Sequence, residues 1–350
     1  MRKILLGSLL AAGTVSAFAQ SSVTVYGVAD AFAAVARGSL SNKRMTDGGN
    51  IASQLGFRGT EDLGGGLTAK YVIEGGLNLD DGSGTIPGPG YMFTRQSYVG
   101  LEGKNWGKVN MGRQYTPIFG TTYTADPLGN NSVFSPVILW AQTDAQPGLS
   151  AWAARSDNAL AYSSPSDLPV VGTLMYAPGE ASYTSSSGNY LGASLAYTSG
   201  ALWLGWGYQN KKSGGWPAAS AAVPTESVAQ VLAGKYTAGP FVIGASWGYQ
   251  GSNTTGSPKA NLLNLNSQYI LGASSFYLSY GSRDVSGSAR DQTAFTLGYD
   301  YNLSKSTAIY VRHLSLTNKS NSSASLGGVL VDPNSGVDVQ LTGIGITKKF

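Results

Sequence analysis

Cysteine is absent from all 350 residues, so no disulfide staples the fold and no thiolate can hold a metal. Histidine occurs once, as His313, which leaves too few ligands for a zinc site, and nothing in the pattern asks for a cofactor. Charged residues make up 12% of the chain, about half of ordinary soluble usage. Beyond residues 4–12 no apolar run approaches the roughly 20 residues a membrane-spanning helix needs. Mean hydropathy is −0.05. The net charge of +4 is too small for a polybasic surface, which excludes a nucleic-acid partner.

Glycine (48 residues) and tyrosine (20 residues) are abundant, which suits tight turns and interfacial rings. Arg2 and Lys3 precede the apolar run, and Ala17-Phe18-Ala19 places small residues where a signal peptidase reads. The expectation is an exported chain that loses residues 1–19 and folds residues 20–350 as one domain. Its net charge drops to +2 when Arg2 and Lys3 leave.

Hydropathy alternates with a period of two along the chain, and no helical period competes with it. Val23, Val25 and Gly27 oppose Thr24 and Tyr26. Leu55 and Phe57 oppose Gln54, Gly56 and Arg58, while Ala69, Tyr71 and Ile73 oppose Lys70, Val72 and Glu74. Apolar residues outward and polar residues inward is the reverse of a soluble sandwich. Short turns are expected at 62–66, 104–106, 165–169, 199–201, 238–240, 271–273 and 303–305. Long connections fall near 37–49, 80–92, 114–155, 179–188, 213–225, 252–259, 284–290 and 318–336. Seven turns and eight loops join sixteen strands, an even number that lets the first and last strands meet and close the sheet. The fold class is therefore all-β: a 16-stranded antiparallel transmembrane β-barrel. Residues 114–155, with four prolines and two tryptophans, read as an irregular third loop folded inward to narrow the lumen. Tyr98, Tyr197, Trp203, Tyr208, Trp247, Tyr269, Tyr299, Tyr301 and Phe350 are expected in the two interfacial girdles.

Several stretches carry a family resemblance. They are Ser22-Val23-Thr24-Val25-Tyr26-Gly27-Val28-Ala29-Asp30, Leu55-Gly56-Phe57-Arg58-Gly59-Thr60-Glu61-Asp62-Leu63-Gly64, Arg95-Gln96-Ser97-Tyr98-Val99-Gly100-Leu101 and Gly112-Arg113-Gln114-Tyr115. In order and spacing they resemble Gram-negative general porins, most nearly those of β-proteobacteria. The resemblance implies a homotrimer of barrels in the outer membrane, each a water-filled pore in which acids on the third loop face an arginine ladder on the wall. Arg95 and Arg155 match ladder positions, whereas Gln54 stands where the family has another arginine. Thr116 replaces a common aspartate in Tyr115-Thr116-Pro117, leaving Asp126 and Asp144 as the loop acids. The ending, with Ile344, Ile346 and Phe350 alternating, resembles the signal read by the outer-membrane assembly machinery; Lys348 departs from it. The implied surroundings are membrane lipid and lipopolysaccharide outside, small hydrophilic solutes and ions inside.

Parity assigns further residues. Arg95, Arg58, Lys70 and Arg312 are expected to face the lumen, with Glu74 pairing with Lys70. Arg113 counts outward, where lipid would be costly, so a subunit interface or a local salt bridge must receive it. His313 also counts outward, as an interfacial ring; a serine hydrolase would need it bonded to a serine, and no motif singles one out. The expected function is passive diffusion with a weak lean toward anions. The alternative is a selective channel whose loop aromatics Tyr115, Phe119, Tyr123 and Trp140 form a solute track.

Overall fold

The computed structural model describes residues 22–85, 92–142, 152–179, 188–213, 225–252, 256–324 and 336–350. The expected signal segment 1–19 and the loop acid Asp144 lie outside the described residues. The strands are β1 (Ser22–Arg37), β2 (Ser41–Asp47), β3 (Gln54–Gly64), β4 (Leu67–Gly76), β5 (Gln96–Gly103) and β6 (Gly107–Tyr115). After the third loop come β7 (Arg155–Ser163), β8 (Val170–Ala177), β9 (Tyr190–Ser199), β10 (Leu202–Ser213), β11 (Thr225–Ala238) and β12 (Phe241–Ser252). The remainder are β13 (Ala260–Leu271), β14 (Ser274–Val285), β15 (Gln292–Ser304), β16 (Thr307–Asn318) and β17 (Val339–Lys349).

All seventeen described strands join one antiparallel sheet, and all but β2 and β3 pair with both of their chain neighbours. The long β1 is shared: its second half pairs with β2 and its first half with β3, so these two occupy one place in the wall. The connection expected at 37–49 is thus largely a hairpin, and the wall has sixteen strand positions. On its other edge β1 pairs with β17 from Val28↔Lys349 to Arg37↔Gln340. Gly27 and Phe350 then exchange backbone hydrogen bonds of 3.0 and 3.1 Å, and the cylinder is closed. All seven short turns overlap their expected places; the last lies at 305–306 because β15 continues to Ser304.

Ile243 and Trp247 on β12, Leu265 on β13 and Leu278 on β14 are exposed on one face, while Ser246, Gln250, Asn264 and Ser279 are buried on the other. This alternation satisfies lipid outside and a polar interior. It fails in one instructive place. Leu262, Leu314 and Leu341 are inward and apolar, and they pack in one cluster with Phe134, Leu139 and Trp140 of the third loop.

That loop is not irregular. Pro117–Ala125 forms a helix, α1, capped by Thr116, whose Oγ1 accepts from Phe119 N at 3.3 Å. Pro136–Ala141 forms a 3-10 helix capped by Ser135, whose Oγ accepts from Val137 N at 3.2 Å. Both begin with a hydroxyl residue followed by proline, which has no N–H to leave unsatisfied in the first turn. α1 packs against β9–β12, and the 3-10 helix against β13–β15. Contact is made on the face opposite the exposed apolar residues, where glycine gives access: a Cβ at Gly207 would lie 3.1 Å from Ile118 Cα. One at Gly281 would lie 2.6 Å from Pro136 Cβ, and one at Gly343 would lie 3.0 Å from Phe134 Cζ.

Gly281→Val should therefore force the Pro136 turn off the wall and cost about 1–3 kcal/mol, as overpacking does. A lowered heat-unfolding midpoint of the detergent-solubilised protein checks this.

Candidate functional site

The base of the third loop holds the main cationic cluster. Tyr115 ends β6, Arg155 opens β7, and the two are register partners. The Tyr115 hydroxyl accepts from Arg95 Nη2 and from Arg155 Nη2, each at 2.8 Å. The Arg155 guanidinium also lies 4.5 Å from the Tyr115 ring centroid, a cation–π distance. Arg95 Nε donates to Glu74 Oε1 at 2.8 Å. Buried Glu74 accepts in addition from Tyr26 Oη (2.9 Å) and Gln54 Nε2 (3.2 Å). Gln54, where a ladder arginine was expected to be missing, thus helps to hold a carboxylate, and Arg58 stacks over Tyr26 at 5.0 Å.

One expected pairing is corrected here, and one residue reaches its expected side by a route other than strand parity. Glu74 pairs with Arg95, not Lys70; Lys70 is taken by Glu102 on the adjacent β5, toward the short-turn rim. Alternation counted back from exposed Val99 and Leu101 would send Arg95 outward. Arg95 precedes β5, however, and its side chain turns to Glu74 instead.

Tyr115, Phe119 and Tyr123 recur at intervals of four along the base and length of α1, which brings them to one side. Tyr115 and Phe119 stack with centroids 4.7 Å apart and planes 10° apart; Phe119 and Tyr123 follow at 6.0 Å and 28°. Trp140, expected in this row, is buried against Gly248 instead. Trp152 takes its place, 5.8 Å from Phe119.

Asp126 is not a passage-facing acid. It caps the C-terminus of α1 at 5% exposure, accepting from Leu128 N (2.9 Å), Asn130 N (2.8 Å) and Ser135 Oγ (2.6 Å). Burial pushes its carboxyl above the usual carboxylate range, against the pull of these donors. Arg312 does point inward, but at 1% exposure it is clamped by both oxygens of Asp300, by Asn50 Oδ1 (3.3 Å) and under Tyr277 at 4.6 Å. It is a structural cation, not a free rung. Arg113 sits in a bulge where the register slips between Gly112 and Gln114, and its charge is met within the chain by Asp157 and the Thr94 carbonyl.

A second polar knot was not foreseen. Asp30 accepts from Tyr310 Oη (2.7 Å), Asn50 N (3.2 Å) and Thr347. Asn131, at the tip of the loop, donates to Gly48 O (2.7 Å) and Asn50 O (3.0 Å). The available signal was the shared inward parity of Asp30 and Tyr26 on β1.

Residues 7–321 match the family described as Gram-negative porin. The chain belongs to that family. The porin is 31% identical over 344 residues to outer membrane porin protein 32 of Delftia acidovorans, covering 93% of this chain and 92% of that one. It superposes with a TM-score of 0.82, at 28% identity, on the anion-selective porin from Comamonas acidovorans, covering 95% of this chain and all of that one. OmpT of Vibrio cholerae, in its trimer form, shares the fold at a TM-score of 0.67 and 17% identity, over 94% of this chain and 99% of that one. The protein is accordingly a channel of the bacterial outer membrane.

Other features fit a porin wall. His313 faces outward, and its hydrogen-bond partner among the described residues is Thr342 Oγ1 at 2.9 Å, not a serine. Ile344, Ile346 and Phe350 are exposed outward. Lys348, the exception in that series, bends its ammonium to Ser306 (2.8 Å) and Thr307 (3.2 Å) at the rim, so only its stem meets lipid. Tyr197, Trp247, Tyr299 and Tyr301 are exposed as girdle residues, and Phe241, Tyr269, Phe276 and Tyr299 form a chain of rings. Tyr98 and Trp203 fall on the inward face: Tyr98 alternates with exposed Val99, and Trp203 covers Gly205 beside Thr121.

A buried carboxyl whose pKa is raised favours the folded state fully at low pH and loses that contribution as pH rises through the raised value. Thermal unfolding of wild type minus that of Asp126→Asn should therefore fall with increasing pH, and the variant's own profile should be flatter.

Proposed function

We propose that this porin passes small hydrophilic solutes and ions down their gradients, with a weak preference for anions set at the base of the third loop. One observation carries the reading: Arg155 has no carboxylate within ion-pair distance among the described residues, while Glu74 is neutralised by Arg95. The described loop acid, Asp126, is spent inside the loop and offsets none of that charge in the passage. A fixed cation in a narrow, low-dielectric wall raises the local anion concentration. Arg58, itself exposed, adds a second cation on the same face. The anion-selective porin of Comamonas acidovorans, similar over nearly the whole chain, supports the same direction.

The working unit is a homotrimer in lipid and lipopolysaccharide, and Ile344, Ile346 and Phe350 present the outward series that the assembly machinery reads. Asp157 is largely exposed beside Arg113, so this ion pair is open to a neighbouring subunit as well as closed within the chain.

Removing Arg155 deletes about 0.5–1 kcal/mol of attraction for an anion passing 4–8 Å away in water. Reversal potentials in a potassium chloride gradient should show the anion-to-cation permeability ratio of Arg155→Ala reduced roughly two- to fivefold. An unchanged ratio removes Arg155 from this role.

A further inference from the structure

Beyond the loop base, the ring row leads into a cavity between the turn after α1 and the short-turn ends of β13–β17. Arg155 and Phe119 both lie against the Tyr115 ring, at 4.5 and 4.7 Å from its centroid. The succession of contacts runs Arg155, Tyr115, Phe119, Tyr123, from the cation to a half-exposed ring (52%). Tyr123 is the member that lines the cavity, together with Leu128, Gln268, Tyr277, Lys305 and Lys349. It offers an aromatic surface beside two exposed ammonium groups.

The charge balance of this cavity is one-sided. Asp300 is its one lining carboxylate among the described residues, and both of its oxygens are engaged by Arg312. Lys305 and Lys349 make no ion pair with any described carboxylate. An uncharged polyol would look for free acceptors for its hydroxyls and finds the strongest one occupied. A planar ring bearing one negative charge finds both of its requirements met: a ring to stack on and a cation for its carboxylate. A column of stacked rings also turns its electropositive edges sideways, which favours the same ligand on approach.

We propose that the cavity bounded by Tyr123, Lys305 and Lys349 is a transient binding station for planar aromatic monocarboxylates, with the ring on Tyr123 and the carboxylate on the lysines. The proposal rests on the diffusion-pore reading and adds a saturable site to it.

The test is a titration of open-channel current through the full-length porin in planar bilayers. The probes are benzoate, cyclohexanecarboxylate (equal charge, no flat ring), benzamide (flat ring, no charge) and glucose. Benzoate should reduce the current saturably and at several-fold lower concentration than each of the other three. Tyr123→Leu, and separately Lys305→Met with Lys349→Met, should raise its half-blocking concentration by about three- to tenfold. Equal block by cyclohexanecarboxylate, stronger block by glucose, a current that does not saturate, or variants with unchanged half-block would each overturn the proposal. The probe series on wild type decides the matter even where a variant fails to fold. Absence of any ion conductance in wild type would instead sink the diffusion reading itself.

Discussion

Hydrocarbon offers no partner for a backbone N–H or C=O, and every strand of this porin answers to that fact. An unpaired edge facing lipid would leave a row of such groups unsatisfied, each at a cost of several kcal/mol. The ladder between β1 and β17 removes the edge, and the mutual bonds of Gly27 and Phe350 complete it. Closure in turn gives every side chain one of two addresses. The outward address is filled by residues such as Leu232, Ile243 and Trp247, which a soluble protein would hide. The inward address is free to be polar, small or charged.

The third loop uses that freedom to build a core in an unusual place, between itself and the inner wall. Burial of Phe134, Leu139 and Trp140 is worth about 1.5–3 kcal/mol each for side chains of this size. Thr296 adds a hydrogen bond to the Phe134 carbonyl at 2.6 Å. Glycines on the wall let the loop backbone come close enough for this packing, so much of the chain's glycine serves contact and not turning. With the loop fixed by apolar contacts, its polar residues are left to shape themselves, as Asp126 does, and the passage inherits the arginines at the loop base.

The strand positions, the short turns and the two faces were legible because a period of two and clustered glycines leave few alternatives. Facing direction was legible too, but partners were not. Parity places Glu74, Lys70 and Arg312 inward without saying that Glu74 goes to Arg95, Lys70 to Glu102 and Arg312 to Asp300. Those choices depend on how neighbouring strands stagger, which a single strand does not encode. The two short helices left readable marks, Thr116-Pro117 and Ser135-Pro136, that were outweighed by the length and proline content of 114–155. Asp126 likewise announces itself as a turn-former, since Asp-Pro-Leu-Gly lets its carboxylate accept from the amide two residues on. Trp140 and Trp152 could not be told apart from sequence, because which one meets a glycine is a property of the opposite wall.

The tip of the loop is tied to the backbone at Gly48 and Asn50. That segment is in turn held by Asp30, whose carboxylate is gripped by Tyr310 and Thr347 from 280 and 317 residues away. The mooring for the sieve is thus assembled from both extremities of the polypeptide and does not exist until they have zipped together. A half-finished sheet would have neither bore nor gauge, and the aperture is calibrated by the same seam that makes the vessel watertight.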